Sequence, residues 1–501
     1  MVALGIVAGS LTEAQPMANT RSIDFPLVKQ TYQERSPEMD NRKVVNYYIS
    51  YDQDGTKPMM FNPTAGYVIK YILNLSTNSV RALYSDQNSA YSYALAFASN
   101  VVYLLSNSTR SIPVGEITTS GGFIGVTSST SQVLFVDGAF GYVYDIAAQT
   151  ITRITDDNFP INPLDAVFFN GYFVALEGQS NQWFVSDAGS ALTWPDQNGV
   201  VFNAKADTLQ GCAAVSNSLF IFGNYTTEVW YPQAQGTFPF SYNSNLLFEY
   251  GCIATGSIAE GQGVLIWLAG DKNGVGSVYM TLGTQPEKIS TQAIDLAIRG
   301  FSRVDDAIGF IYKEAGHIFY QLTFPTANKT LLVDITPTNG DKTWVYLEQK
   351  DGDRHIANCH TYFNKQHLIG SYETASLYTL SSLILTNNGE IVRRSVQGAT
   401  YESQTYVRSI FHKFEVNFQG GIGNINQPGE EPRAFLSVSL DEGSTFGHQR
   451  PAMLAKTGQY KYRTEWFGCG MGRSFTPRVD VYSAVPCYLL GAALIVTDGK
   501  S

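Results

Sequence analysis

From about residue 95 to about residue 380 the chain repeats one short pattern: a polar pair, four mostly apolar residues, a Gly or Asp-Gly turn, then an aromatic-rich run. Three copies show it plainly. Ser131-Gln132-Val133-Leu134-Phe135-Val136-Asp137-Gly138 leads into Phe140-Gly141-Tyr142-Val143-Tyr144. Asn170-Gly171-Tyr172-Phe173-Val174-Ala175-Leu176-Glu177-Gly178 leads into Trp183-Phe184-Val185-Ser186, and Asn217-Ser218-Leu219-Phe220-Ile221-Phe222-Gly223 into Glu228-Val229-Trp230-Tyr231. Further copies start near Asn100, Gly263, Gly316 and Asn364. A single antiparallel hairpin cannot bury its apolar face in water, so units of this kind must stack on neighbours. The spacing, roughly 30 to 55 residues, brackets the about 40 to 50 of propeller blades. It predicts a divergent β-propeller of six or seven blades, with no Trp-Asp or kelch signature. A solenoid or a string of β-sandwiches is the architectural alternative.

Outside the repeats the pattern changes. Residues 1–60 are polar, with Pro and Gln between Glu13 and Arg35, and predict an extended N-terminal arm ending in a first strand over Val44 to Ile49 and a turn at Asp52 to Gly55. The repeat stops near residues 385 to 405. The propeller is therefore placed at 61–395 and a C-terminal β-sandwich-like module of long alternating strands at 396–501. Gly420 to Gly429 predicts a projecting hairpin loop inside that module. One stretch, Ser290 to Gly300, carries helical periodicity and is expected at a blade junction.

Composition supports a large all-β protein. The 501 residues include 30 Tyr, 29 Phe and 45 Gly, while charged residues are only 15%; such biases suit strands and tight turns. The net charge of -10 argues against wrapping around nucleic acid, which needs a concentrated basic surface. It is compatible with a conduit through which DNA slides without sticking. The acidity is uneven: residues 401–501 hold ten Lys/Arg and nine Asp/Glu, and the first 400 hold 23 and 34. Five scattered cysteines without a CxxC pair read as reduced, mostly buried thiols. The apolar start lacks a basic n-region and makes a poor secretory signal, and no stretch approaches a membrane span, so a soluble protein is expected. The sequons at Asn74, Asn107, Asn224 and Asn328 then read as polar turns.

Candidate chemistry is sparse. Ser439-Leu440-Asp441-Glu442-Gly443-Ser444-Thr445-Phe446 fits the Asp-box hairpin fully, and Ser186-Asp187-Ala188-Gly189 with Thr193-Trp194 fits it loosely. Such a box folds a turn, its Asp accepting amide hydrogen bonds and its Gly taking positive φ. Glycosidase propellers carry boxes of this type, which motivates an alternative reading as a glycan-binding or glycan-hydrolysing propeller. That reading needs two carboxylates at one mouth. Asp351, Asp353 and Arg354 gather charge at one place and Asp305 with Asp306 at another, and both read as solvated loop tips. His355, Cys359 and His360 lack the second pair that zinc requires. Gly468 to Arg473, Gly261 to Gly263 and Gly420 to Gly423 lack the strand-loop-helix context of a phosphate cradle. Six dispersed histidines select no Ser-His-Asp set. No catalytic, cofactor-binding or metal residue is assigned, and no enzyme activity or cofactor is expected.

The C-terminal words carry a resemblance. PRAFLSVSLDEGSTFG (Pro432 to Gly447), then Trp466, Gly470 and Arg473, then VDVYSAVPCYLLGAALIV (Val479 to Val496) are similar to the end of the packaged DNA stabilisation proteins, or tail hubs (nozzles), of short-tailed P22-like phages. Asn46 to Gly66 resembles that family's leading segment, and Phe169 to Asp187 with Phe220 to Tyr231 its middle blades. The resemblance implies a structural virion protein, assembled in the host cytoplasm, that forms a homo-oligomeric ring, a hexamer, below the portal and head-to-tail adaptor. It would retain the packaged genome, line part of the channel for double-stranded DNA without binding it specifically, and anchor the tail needle and tailspikes. The N-terminal arm and the loop near Gly421 would make contacts between subunits.

Overall fold

In the computed structural model the described residues are 20–27, 31–33, 41–51, 59–73, 79–86, 92–106, 110–196, 199–202, 207–234, 238–271, 274–283, 285–336, 342–350, 352–402, 407–421 and 431–499. Seven antiparallel sheets follow one another along the chain. Blade 1 runs Val80–Asp86, Tyr93–Ala98, Val101–Leu105, Ser111–Glu116, and blade 2 runs Gly125–Ser128, Gln132–Val136, Gly141–Asp145, Thr150–Arg153. Blade 3 is Pro163–Phe169, Tyr172–Glu177, Gln182–Val185, Gly199–Val201, and blade 4 is Leu209–Val215, Ser218–Gly223, Thr227–Pro232, Phe240–Tyr242. In blade 5, Gly251–Cys252 and Ala259–Gly261 share one partner, Val264–Asp271, followed by Gly274–Thr281 and Glu287–Lys288. Blade 6 is Ile308–Glu314, His317–Phe324, Lys329–Asp334, Thr343–Leu347.

Blade 7 is composite. Ala357–Phe363, Gln366–Ser371 and Ser376–Ser381 supply its inner three strands, and Gly66–Ile72 supplies the outermost, from Ser376 opposite Ile72 to Ser381 opposite Gly66. The last blade is thus completed by a strand from before the first. The core confirms a closed ring, because an apolar cluster lies between every neighbouring pair of blades. Tyr93, Leu95 and Phe97 meet Val133 and Phe135 between blades 1 and 2, and Val174 and Trp183 meet Leu219 and Trp230 between blades 3 and 4. Tyr71, Leu73 and Leu377 of blade 7 meet Ala94, Ala96 and Tyr103 of blade 1. The fold is a seven-bladed propeller, as one of the two expected blade numbers had it, and each of the seven apolar runs seen in the sequence lies in a different blade.

Local chemistry explains the hairpins. At Gln262-Gly263 and Ala315-Gly316 both residues have positive φ (57° and 75°, 50° and 85°), the two-residue turn whose twist matches paired strands. The helix Gln292–Arg299 sits between blades 5 and 6, where Ile294 and Ile298 are buried, and Thr291 caps it by accepting from the Ile294 amide.

The second body is a β-sandwich. One sheet orders Asn41–Val45, Arg394–Gln397, Ser474–Val481, Arg433–Ser439, Arg450–Met453, and continues from blade 6 because Val45 pairs in parallel with Tyr346. The facing sheet orders Tyr47–Tyr51, Met59–Pro63, Leu489–Asp498, Ser409–Phe418, Thr464–Gly472, with Thr20–Phe25 also on Leu489–Asp498. Phe25, Phe411, Phe414, Trp466 and Phe475 fill the space between the sheets. Residues before 60, expected as an arm, are extended where described, but their strands are laid into this sandwich. The turn at Asp52 to Gly55 and most of the Gly420 to Gly429 loop lie outside the described residues.

Leu73, fully buried at the seam of blades 7 and 1, tests the closure. Leu73→Ala is expected to cost about 2 to 5 kcal/mol, whereas Ile72→Ala, at a position 67% exposed, should stay within about 0.5 kcal/mol. Urea unfolding followed by Trp fluorescence measures both, and equal small effects would show that this strand does not hold the ring shut.

Candidate functional site

The propeller's central channel is formed by the first strand of each blade, and polar side chains tie neighbouring blades around it. Tyr84 Oη and Ser128 Oγ are 2.6 Å apart across blades 1 and 2. Thr127 Oγ1 accepts the Phe168 amide at 2.8 Å, and Asp165 accepts the Cys212 amide at 3.0 Å. Thr255 donates to the Gln210 carbonyl at 2.5 Å, Tyr320 to that of Ser257 at 2.7 Å, and Asn358 to that of Val80 at 2.8 Å. These groups are occupied in holding the ring. Burial raises the Asp165 carboxyl to about 7, against the pull of its two amide donors. Glu260 of blade 5, open to water yet ringed by protein, has its carboxyl raised.

The charged residues singled out in the sequence do meet, at one corner of blade 6. Arg354 feels Asp306, and Asp353 accepts from Asn328 at 2.6 Å, while Asn328 in turn accepts the Arg354 amide at 3.0 Å. Each charge has a structural task. Asp306 accepts both the amide and the hydroxyl of Thr326 (2.8 and 2.6 Å), Asp305 pairs with Arg303 at 2.7 Å, and the Arg354 guanidinium lies 3.7 Å over the Tyr372 ring. Asp351 lies outside the described residues. His355 and His360 do not converge on a metal: His355 is buried beside Gln321, and His360 meets His367 at 3.0 Å, which faces Glu314 at 3.5 Å. Among the described residues no group of three or more His, Cys, Asp or Glu has the arrangement of a metal site.

The Asp boxes fold turns. Asp441 accepts the Thr445 amide and hydroxyl at 2.9 and 2.5 Å, and Ser439 Oγ takes the Gly443 amide at 2.8 Å, while Glu442 and Gly443 supply positive φ (60° and 88°). Hydrogen bonds from Ser439 and Thr445 hold the Asp441 carboxyl down at about 2. In the looser box, Ser186 accepts the Phe173 amide at 3.0 Å, and the Trp194 amide goes to Asp156 at 2.9 Å. Gly468 to Gly472 belongs to a strand, and Gly261 to Gly263 spans a strand end and a hairpin turn.

Sequence reading found no Ser-His-Asp set, and the fold assembles one from three distant segments. Ser50 Oγ lies 2.9 Å from His317 Nε2, and His317 Nδ1 lies 2.7 Å from Asp334. Its surroundings are those of a latch. Ser50 sits inside the strand Tyr47–Tyr51 and also accepts from Asn62 at 2.7 Å, so its oxygen is held on both sides and the chain Asn62, Ser50, His317, Asp334 ties sandwich to blade 6. Tyr48 packs edge-on against the imidazole at 4.9 Å. Nearby, Asn46, in a left-handed conformation (φ 56°), donates to the carbonyls of Glu348 (2.8 Å) and Arg393 (2.7 Å) and accepts the Glu348 amide (3.0 Å). The buried carboxylates of Glu348 and Asp480 are paired with Lys43 at 2.8 Å and Arg393 at 3.1 Å, as burial of charge requires. No local motif announces these pairs, since their members lie up to 347 residues apart.

A closed seven-bladed scaffold of antiparallel sheets, with polar groups tying its blades together, defines a β-propeller. The chain belongs to the family described as Bacteriophage P22 Gp10, beta-propeller, which matches residues 96–384, from the second strand of blade 1 to just past blade 7. The match lies in the propeller and does not reach the C-terminal module. No curated protein matches the chain. Solved structures similar to it include the WD40 beta propeller domain of Doa1 (13% identity, 63% of this chain and 97% of that one, TM-score 0.38). Others are the computationally designed Ika8 protein (8%, 62% and 99%, 0.38) and the extracellular domain of the hybrid two component system BT4673 from B. thetaiotaomicron (10%, 83% and 62%, 0.42).

Burial holds the His355 imidazole down at about 4, and burial with the adjacent His367 holds His360 at about 3. Folded pKa values below the unfolded 6.5 mean that the unfolded chain takes up these protons first. Stability is therefore expected to fall as pH drops from about 6.5 towards 4, by at most about 1.4 kcal/mol per pH unit for each imidazole. Asp165 acts oppositely, its raised pKa lowering stability as pH rises from about 4 to 7. Thermal unfolding between pH 7 and 4 should show a net acid loss that His360→Gln flattens, and an unchanged slope would clear the buried imidazole of that role.

Proposed function

We propose that this chain is a structural subunit of a phage tail: several copies, six in the reading drawn from the resemblance, form a ring below the portal and adaptor. The ring retains the packaged genome, lines part of its exit path and carries the tail needle and tailspikes. The observation that carries the reading is the family match across the propeller, 289 consecutive residues from 96 to 384.

The acidic balance of the first 400 residues, 23 basic against 34 acidic, suits a wall that DNA passes without adhering. The full Asp box gives no support to a glycan-active reading, because the Asp441 carboxylate is engaged in folding its turn.

Negative-stain images of the purified protein, alone and with portal and adaptor, test the proposal. Rings with a central opening wide enough for duplex DNA are expected. Monomers under every condition would overturn it.

A further inference from the structure

A ring made by rotation needs two different faces on each subunit, one to meet the next copy and one to be met, and the chain carries two exposed apolar faces of unlike construction. The first is on the sandwich. Thr464–Gly472 is the outer strand of its sheet, with no strand paired to its far edge among the described residues. Phe467 and Met471 on it are 63% and 54% exposed, Ile410 stands opposite Met471, and Leu440 lies against the backbone of Gly470 and Gly472. A Cβ on Gly470 or Gly472 would lie 3.3 Å from Leu440, so the two glycines leave room for Leu440 beside the edge. Arg450 caps the carbonyls of Phe467 and Gly468, which leaves the Gly470 to Gly472 end of the edge as the approachable part.

The second face is the rim of blade 7. Val68, Ile69 and Ile72 project from the closing strand Gly66–Ile72, and Ile391 from the hairpin that covers one end of it. Asn388 fastens that hairpin by accepting the Ile69 amide at 3.3 Å and donating its own amide to the Tyr67 carbonyl at 2.6 Å. Exposed aliphatic side chains grouped in this way mark interaction surfaces.

We propose that the sandwich edge around Phe467 and Met471 of one copy docks on the blade 7 rim around Ile72 of the next. The inference rests on the ring reading and names its faces. Charge favours a second copy as the occupant: the module behind the first face has ten basic and nine acidic residues, with exposed Arg473 beside the patch, and the propeller half is acidic, with exposed Glu390 beside the rim. A near-neutral face and an acidic face of one chain, each with an apolar centre and with Arg473 beside one and Glu390 beside the other, suit a heterologous interface.

The test uses the full chain with Phe467→Glu plus Met471→Glu as one variant and Ile72→Glu as the other, read by native mass spectrometry and negative stain, alone and on the portal and adaptor. Both variants should melt like the wild type and lose the ring. Ile72→Thr serves if Ile72→Glu melts lower. A mixture of the two should give one-to-one heterodimers and nothing larger, since one intact pair of faces remains. Rings persisting in either variant while the wild type forms them, or a mixture without heterodimers, overturn these faces and leave the ring reading standing. A wild type that never assembles overturns both.

Discussion

Everything in this protein depends on closing a ring of hairpins that cannot stand alone. Each blade buries one face on the blade before it and the other on the blade after it, so an open end would expose a full sheet face to water. The strand Gly66–Ile72 removes that end by completing blade 7. Tyr71 and Leu73 then join the blade 7 and blade 1 core, and Tyr71 donates to the Ser106 carbonyl of blade 1 at 3.0 Å. This single pairing joins the first and last parts of the propeller, which lie about 300 residues apart.

Closure also fixes where the rest of the chain goes. The segment just before Gly66 enters the sandwich, and the chain after Ser381 does so at Arg394–Gln397, once the hairpin Thr386–Ile391 has been laid on blade 7. Asn46 is where this shows most clearly. Its positive φ lets the chain pass from one sandwich sheet to the other, and its amide spends all its hydrogen bonds on Glu348 and Arg393. The apolar cluster here is continuous, running from Phe310 and Phe319 of blade 6 through Tyr47 and Phe61 to Phe411 and Phe475. Ser50, His317 and Asp334 belong to the same joint. They have the connectivity of a hydrolase triad, but Asn62 holds the serine oxygen from its other side, and the set works as a seam between two bodies.

The fold was legible in the repeated apolar runs because a half-buried strand must alternate and a hairpin must turn. Those are local demands, met within about ten residues, and all seven runs fall in separate blades. The helix at Gln292–Arg299 was readable for the same reason, from the helical periodicity of Ser290 to Gly300, and Ile294 and Ile298 are buried by it. The expected separation between an arm and a C-terminal module fared differently. The pairing of Thr20–Phe25 with Leu489–Asp498 and of Asn41–Val45 with Arg394–Gln397 has no trace in either segment, since many strands of similar pattern could have served as partner.

The amino-acid sequence by itself determined the all-β class, the repeat and its turns, the sparse charge and the Asp-box hairpin, because each depends on residues near one another in the chain. Only the tertiary structure decided the seven-fold closure, the joining of residues 20 to 63 to the sandwich, the buried pairs at Glu348 and Asp480, and the placing of two exposed apolar faces. Those depend on which distant strands pair, and that choice is made by the summed burial of the whole ring rather than by any local word.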